Sequence, residues 1–135
     1  MTATTARPLS DSTDSLLRFA MRADATLCAG VGLLAAMAAD PLSRLSGLSS
    51  TAEWAAGAVF VAYGALLYVL AAVPDIKSIG IGVVAANLVF SVLVVVAIVA
   101  GRLRMTEFGV VLTLASTALT LGFAYLQYLG VRRLA

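Results

Sequence analysis

The sequence predicts an all-α, polytopic membrane protein whose four transmembrane helices stand in an antiparallel bundle. Three observations lead there. The chain is 61% hydrophobic and only 12% charged, with a mean hydropathy of +1.02, far outside the soluble globular range. Four apolar stretches long enough to cross a bilayer fall at about 14–39, 51–73, 79–100 and 107–131. Between them stand Asp40-Pro41, Pro74-Asp75 and Gly101-Arg102, residue pairs that break helices.

Residues 1–13, rich in Thr, Ser and Ala and lacking an apolar period, read as a disordered N-terminal tail ahead of a four-helix domain over 14–135. Asp11 or Thr13 can cap the first helix, with Asp14 in its first turn where the helix dipole favours a carboxylate. From Leu17 to Ala39 that helix is about 34 Å long, enough to span, and Asp40-Pro41 ends it because the residue before a proline resists helical geometry. Arg18 and Arg22 ahead of an apolar core also resemble a secretory signal, with Ala36-Met37-Ala38 as the cleavage triplet. Against that reading, Asp24 interrupts the run, and Leu16, Leu17 and Phe19 extend it upstream.

Leu42, Leu45 and Leu48 recur every three residues and predict a short amphipathic turn at the interface. Ser50-Thr51-Ala52-Glu53 reads as a capping box opening the second helix, Trp54 as its interfacial anchor, and Pro74-Asp75 as its stop. Lys77 and Ser78 fall in a short turn. The run from Ile79 to Ala100 is so long and apolar that its β-branched residues predict a membrane helix rather than a strand. Thr106 caps the fourth helix, which runs to Val131 ahead of Arg132 and Arg133.

Four crossings bring both ends of the bundle to one side. Arg7, Arg18, Arg22, Lys77, Arg132 and Arg133 lie there, against Arg44, Arg102 and Arg104 opposite. The positive-inside rule therefore places both termini in the cytoplasm of a cell membrane. The net charge of +2 reports this topology, and no basic patch interleaved with aromatics offers a nucleic-acid surface. With one cysteine, Cys28, and no histidine, the chain carries neither a thiol redox pair nor a zinc or haem ligand set. There is no GxSxG, and no serine or threonine has a base at a recognisable spacing. The sequence thus predicts no catalytic residue, no metal site and no cofactor.

Asp24 is the carboxyl group set inside apolar helix, about 10 Å along it from Leu17. It shares a face with Leu17, Ala20, Met21, Cys28, Val31 and Ala35; Arg18 and Arg22 project the other way and read as snorkelling topology signals. At comparable depth fall Tyr68, Asn87, Tyr125, Gln127 and Tyr128, giving a candidate polar cluster of Asp24, Tyr68, Asn87, Tyr125 and Gln127. Such a group either holds the bundle in register through hydrogen bonds or serves a titratable path. In the fourth helix, Gly109, Thr113, Ser116, Thr117, Thr120, Ala124 and Gln127 form a small and polar stripe that should face protein, its hydroxyls bonding across helices or to their own carbonyls. On its opposite side, Ala115, Ala118 and Gly122 make a second small-residue face suited to a homodimer. Gly57, Val61, Gly64 and Tyr68 make a seam on the second helix, and Gly80, Val84, Asn87, Ser91, Val94 and Ile98 one on the third.

The run Leu17 to Ala25, LRFAMRADA, followed by Gly30, by Ala38-Ala39-Asp40-Pro41-Leu42 and by Gly47-Leu48, resembles the opening of small bacterial four-helix integral membrane proteins of unknown function, whose layout is similar to the DoxX-like group. The resemblance covers about a quarter of the chain by spacing and the rest by hydropathy alone. It implies a four-helix bundle with Arg22, Asp24 and Pro41 as family features, and implies no activity. A small multidrug-resistance exporter also has four helices, but the glutamate expected near the middle of its first helix is replaced here by the run Gly30 to Leu34. The expectation from the sequence is a structural or accessory subunit of a membrane assembly, bound by lipid and by a second copy or another membrane protein. The alternative is a small-solute or proton-coupled carrier with Asp24 as its titratable site and Tyr68, Asn87 and Gln127 along the path. Lipid or quinone binding between helices is a third.

Overall fold

The computed structural model describes residues 13–134. Residues 1–12, most of the expected tail and with them Asp11, lie outside the described residues. Among those described, the chain is all-α: α1 Ser15–Met37, α2 Ala39–Ser46, α3 Ser50–Leu70, α4 Ile76–Val99 and α5 Glu107–Arg132. Helices α1, α3, α4 and α5 are each long and apolar enough to cross a membrane. They form the antiparallel bundle of a multi-pass membrane protein. The β-branched run of α4 is helical because lipid offers its backbone no partners, so each N–H must be satisfied within its own segment.

The start of α1, the end of α3, the start of α4 and the end of α5 meet at one end of the bundle. Leu17, Met21, Ala25, Leu67, Ala71, Ile76 and Val83 form the core there. Leu17 lies against both Gly80 and Gly130, where any added Cβ would come within 2.6 and 2.7 Å of it. Around the bundle, α1 sits between α3 and α5, and α4 packs on α5; consecutive α3 and α4 share only weak contact. The closest pairing is α1 with α3. A Cβ on Gly32 would lie 2.6 Å from the carbonyl oxygen of Gly57, and one on Gly64 would lie 2.6 Å from that of Ala25. Small residues therefore let the two backbones touch, the membrane solution to packing without a hydrophobic drive.

Several junctions differ from the sequence reading. The first helix ends at Met37, and Asp40-Pro41 stand in the first turn of α2 instead of stopping a helix. Proline is tolerated there because first-turn N–H groups have no intrahelical acceptor to lose. The Leu42, Leu45, Leu48 segment is a true helix to Ser46, closed by Gly47 at φ +85°. That conformation favours glycine. The expected capping box is not formed. Ser49 caps α3 by accepting from Ala52 N at 3.1 Å, and the Glu53 carboxylate accepts from the Ser46 hydroxyl instead. Asp14 is the N-cap of α1 but makes no side-chain capping bond. Lys77 and Ser78 belong to the first turn of α4. Thr106 does cap α5, accepting from Gly109 N at 3.1 Å. Its hydroxyl and backbone N–H also donate to the carbonyls of Leu45 and Ser46, at 2.5 and 2.8 Å, which ties α2 to the start of α5.

Candidate functional site

Each spanning helix contributes one polar side chain to a buried network. Asp24 comes from α1, Tyr63 from α3, Asn87 from α4 and Gln127 from α5. Asp24 is 6% exposed, Asn87 3% and Gln127 fully buried. The carboxylate oxygen Asp24 Oδ2 accepts from Gln127 Nε2 at 2.8 Å and from Asn87 Nδ2 at 3.2 Å. Asn87 Nδ2 also donates to Gln127 Oε1 at 2.9 Å, closing a ring of three side chains. Tyr63 donates its hydroxyl proton to Asn87 Oδ1 at 2.7 Å. Both carboxamides donate to the same Asp24 oxygen while Tyr63 donates to Asn87 and Asn87 to Gln127, so the linked bonds polarise and reinforce one another.

The carboxylate has two further properties. Among the described residues its only hydrogen-bond partners are the two amides, and the ion pair found there, Arg18 with Asp14 at 3.0 Å, does not involve it. Its second oxygen, Oδ1, accepts no bond, yet no buried side-chain nitrogen or oxygen among those residues lacks a partner.

Of the candidate cluster, the structure brings together Asp24, Asn87 and Gln127 and leaves out two tyrosines. Tyr68 is 58% exposed and Tyr125 62% exposed, both outside the network. Tyr128 is also exposed, with the Arg132 guanidinium 5.8 Å from its ring centre. The α3 position is filled by Tyr63, which the Gly57–Gly64 seam did not suggest. Its signal was the neighbouring stripe Phe60, Tyr63, Leu67 and Leu70, of which Leu67 is fully buried. On α1, Val31 is exposed, while Ala25 and Gly32 are buried against α3.

Arg18 does more than snorkel toward the headgroups. Its Nη1 donates to the carbonyls of Ala71 and Val73, both at 2.8 Å, and Nη2 to that of Pro74 at 3.2 Å. One guanidinium thus satisfies carbonyls left open at the end of α3 and fixes the α3–α4 turn to α1. Arg22, by contrast, is exposed.

On α5, Gly109, Thr117, Ala124 and Gln127 are buried, Thr113 and Thr120 half-buried and Ser116 exposed. Ser116, Thr117 and Thr120 donate to the carbonyls four residues back, at 2.8–3.0 Å, and Thr113 to the Met105 sulfur at 3.6 Å. The α5 hydroxyls therefore give close packing and no bridge to another spanning helix. Ala115, Ala118 and Gly122 are exposed on the far side.

Fold and site together define a class: a multi-pass helical membrane protein pinned by one buried carboxylate–carboxamide ring. No family model matches the chain, and no curated protein and no solved structure is significantly similar to it.

Proposed function

We propose that this chain is a structural or accessory subunit of a membrane assembly, seated in the cell membrane with both termini toward the cytoplasm. The observation that supports it most is how the bundle uses its polar groups. Asp24, Tyr63, Asn87 and Gln127 bond to one another, and Ser91 and Thr117 bond to their own carbonyls. The polar interior thereby acts as a lock between helices, while the Ala115, Ala118 and Gly122 face is left uncovered for a partner. The orientation rests on the six-to-three division of basic residues. The likeness of residues 17–48 to small bacterial proteins of DoxX-like layout belongs to the same proposal and adds no reaction. Crosslinking in native membranes, followed by blue-native electrophoresis, should trap a dimer or a larger complex; a lone monomer at every crosslinker length would overturn the reading.

A second reading, a proton-coupled or small-solute carrier, is favoured by one observation: a buried carboxylate without a cationic partner among the described residues. Buried ionisable groups in membranes commonly mark ion paths. Proteoliposome flux measured with wild type and Asp24→Asn decides it, since equal flux in both removes Asp24 as a coupling site.

A further inference from the structure

Helices α1 and α3 run backbone to backbone until Gly57 meets Ala36, where an added Cβ would stand 2.6 Å from Ala36 N. Just beyond that contact α1 ends at Met37, and the chain swings into α2. The seam loses its second wall there. What remains is an open cleft of about 400 Å³ between the α1–α2 junction and the start of α3, with Met37, Asp40, Pro41, Ser50, Thr51 and Trp54 on its walls. It lies at the end of the bundle away from the core around Leu17 and Ile76.

The polar side chains of this cleft differ from those around it in being unpaired. Ser43 donates to the Leu48 carbonyl, Ser46 donates to the Glu53 carboxylate, and Ser49 accepts from Ala52 N. Asp40, Ser50 and Thr51 make no side-chain hydrogen bond or ion pair among the described residues. Arg44, one turn along α2 from Asp40, forms no ion pair with it. Asp40 and Glu53 stand in the first turns of α2 and α3, each matching the positive end of its helix. Because Glu53 is buried against Ser46, the charge of the cleft is that of Asp40.

We propose that the cleft binds an organic primary ammonium group, with the Asp40 carboxylate and the Ser50 and Thr51 hydroxyls accepting its N–H donors and the Trp54 indole beside the charge. A primary ammonium carries three donors and no acceptor, so it can use a carboxylate and two hydroxyls together. The bond to the carboxylate is charge-assisted, and a cation close to an indole is attracted by the ring quadrupole. Met37 and Pro41 supply apolar wall for the carbon skeleton. Other occupants fit less well. An anion meets the Asp40 charge, and an alkyl chain would cover three polar side chains without bonding them. A divalent metal ion would find one carboxylate, since no group of three acidic, cysteine or histidine ligands exists among the described residues. A free amine and an ethanolamine phospholipid headgroup both present this ammonium chemistry.

Trp54 is the only tryptophan of the chain, so its fluorescence reports on this cleft. The test titrates the full chain, in phosphatidylglycerol nanodiscs that contain no amine, with ethanolamine hydrochloride at an ionic strength held constant by sodium chloride. A saturable change in Trp54 emission is expected, and tetramethylammonium, which has no N–H, should bind more weakly. Asp40→Asn should weaken ethanolamine binding roughly fivefold, the upper end for one exposed ion pair. Thr51→Val keeps the shape and removes a hydroxyl; it should weaken binding in the same direction, and it serves should Asp40→Asn fail to fold. Asp75→Asn removes an equal charge at the far end of the bundle and should change nothing. Replacing half of the phosphatidylglycerol by phosphatidylethanolamine separates the two sources, and either result supports an ammonium site. A midpoint moved to higher ethanolamine assigns the cleft to the lipid headgroup, and an unmoved one assigns it to a free amine. No saturable change, an equal response to tetramethylammonium, unchanged binding in a folded Asp40→Asn, or a loss matched by Asp75→Asn would each overturn the proposal. None of these outcomes depends on whether the chain is an accessory subunit or a carrier.

Discussion

At the scale of single residues, the Asp24 ring separates tyrosines that look alike in sequence. Tyr63 donates to Asn87, whereas Tyr68, one and a half turns on, is 58% exposed. Tyr63→Phe should therefore cost about 0.5–1.5 kcal/mol, the net value of one hydrogen bond, when unfolding is followed in mixed micelles. Tyr68→Phe should stay within about 0.5 kcal/mol of wild type, as surface substitutions do. Equal effects would mean that the hydroxyl of Tyr63 is not engaged. Asn87→Leu removes two donors and one acceptor together and leaves Asp24 Oδ2 with Gln127 alone. Its expected cost exceeds about 2 kcal/mol, because stranding a buried polar group is dearer than deleting an exposed one. Asp24, Asn87 and Gln127 were legible because a carboxyl or carboxamide in apolar helix has to face protein. Tyrosine carries no such instruction, since its ring suits lipid and its tip suits water or a partner.

At the scale of elements, helix number and order were legible from apolar length, and the ends were not. Pro74 marks the end of the second span, but α3 stops at Leu70, because Arg18 reaches from α1 to take the carbonyls of Ala71, Val73 and Pro74. That bond joins residues more than fifty positions apart, and local pattern holds no trace of it. Arg18→Leu should destabilise the bundle by about 1–3 kcal/mol, the cost of leaving such groups unpaired. It should also speed amide exchange over residues 71–78 before the rest of α3 responds; uniform protection would refute the capping role. The α1–α3 seam was half legible: Gly57 and Gly64 were read as close-packing, but their partners Gly32, Ala25 and Ala29 were not. A Cβ on Gly57 would stand 2.6 Å from Ala36 N. Gly57→Leu is thus expected to push the helices apart, at an overpacking cost of about 1–3 kcal/mol or more.

At the scale of the whole molecule, the two faces of α5 differ in what they do for the fold. The inner face, with Gly109, Thr117, Ala124 and Gln127, is buried against the rest of the bundle. The outer face, with Ala118 and Gly122, is exposed, and a Cβ at Gly122 would meet nothing within 4 Å. A larger side chain at Gly122 therefore disturbs no contact within one chain, and replacing a mid-helix glycine adds about 0.5–1 kcal/mol of helix stability. Gly122→Leu should leave the unfolding midpoint in micelles unchanged or raise it slightly. If small residues on this face let a partner's backbone approach closely, the same change holds that backbone away and weakens association. Förster transfer between labelled copies in liposomes, measured over a range of protein-to-lipid ratios, reads the association directly. Wild type should associate more tightly than Gly122→Leu, and Ala118→Leu, one turn away on the same face, should act in the same direction. Unchanged transfer in both variants would assign this face to lipid, and any partner of the subunit would then have to be sought on α4, whose Val92, Leu93, Val96 and Val99 also lie exposed.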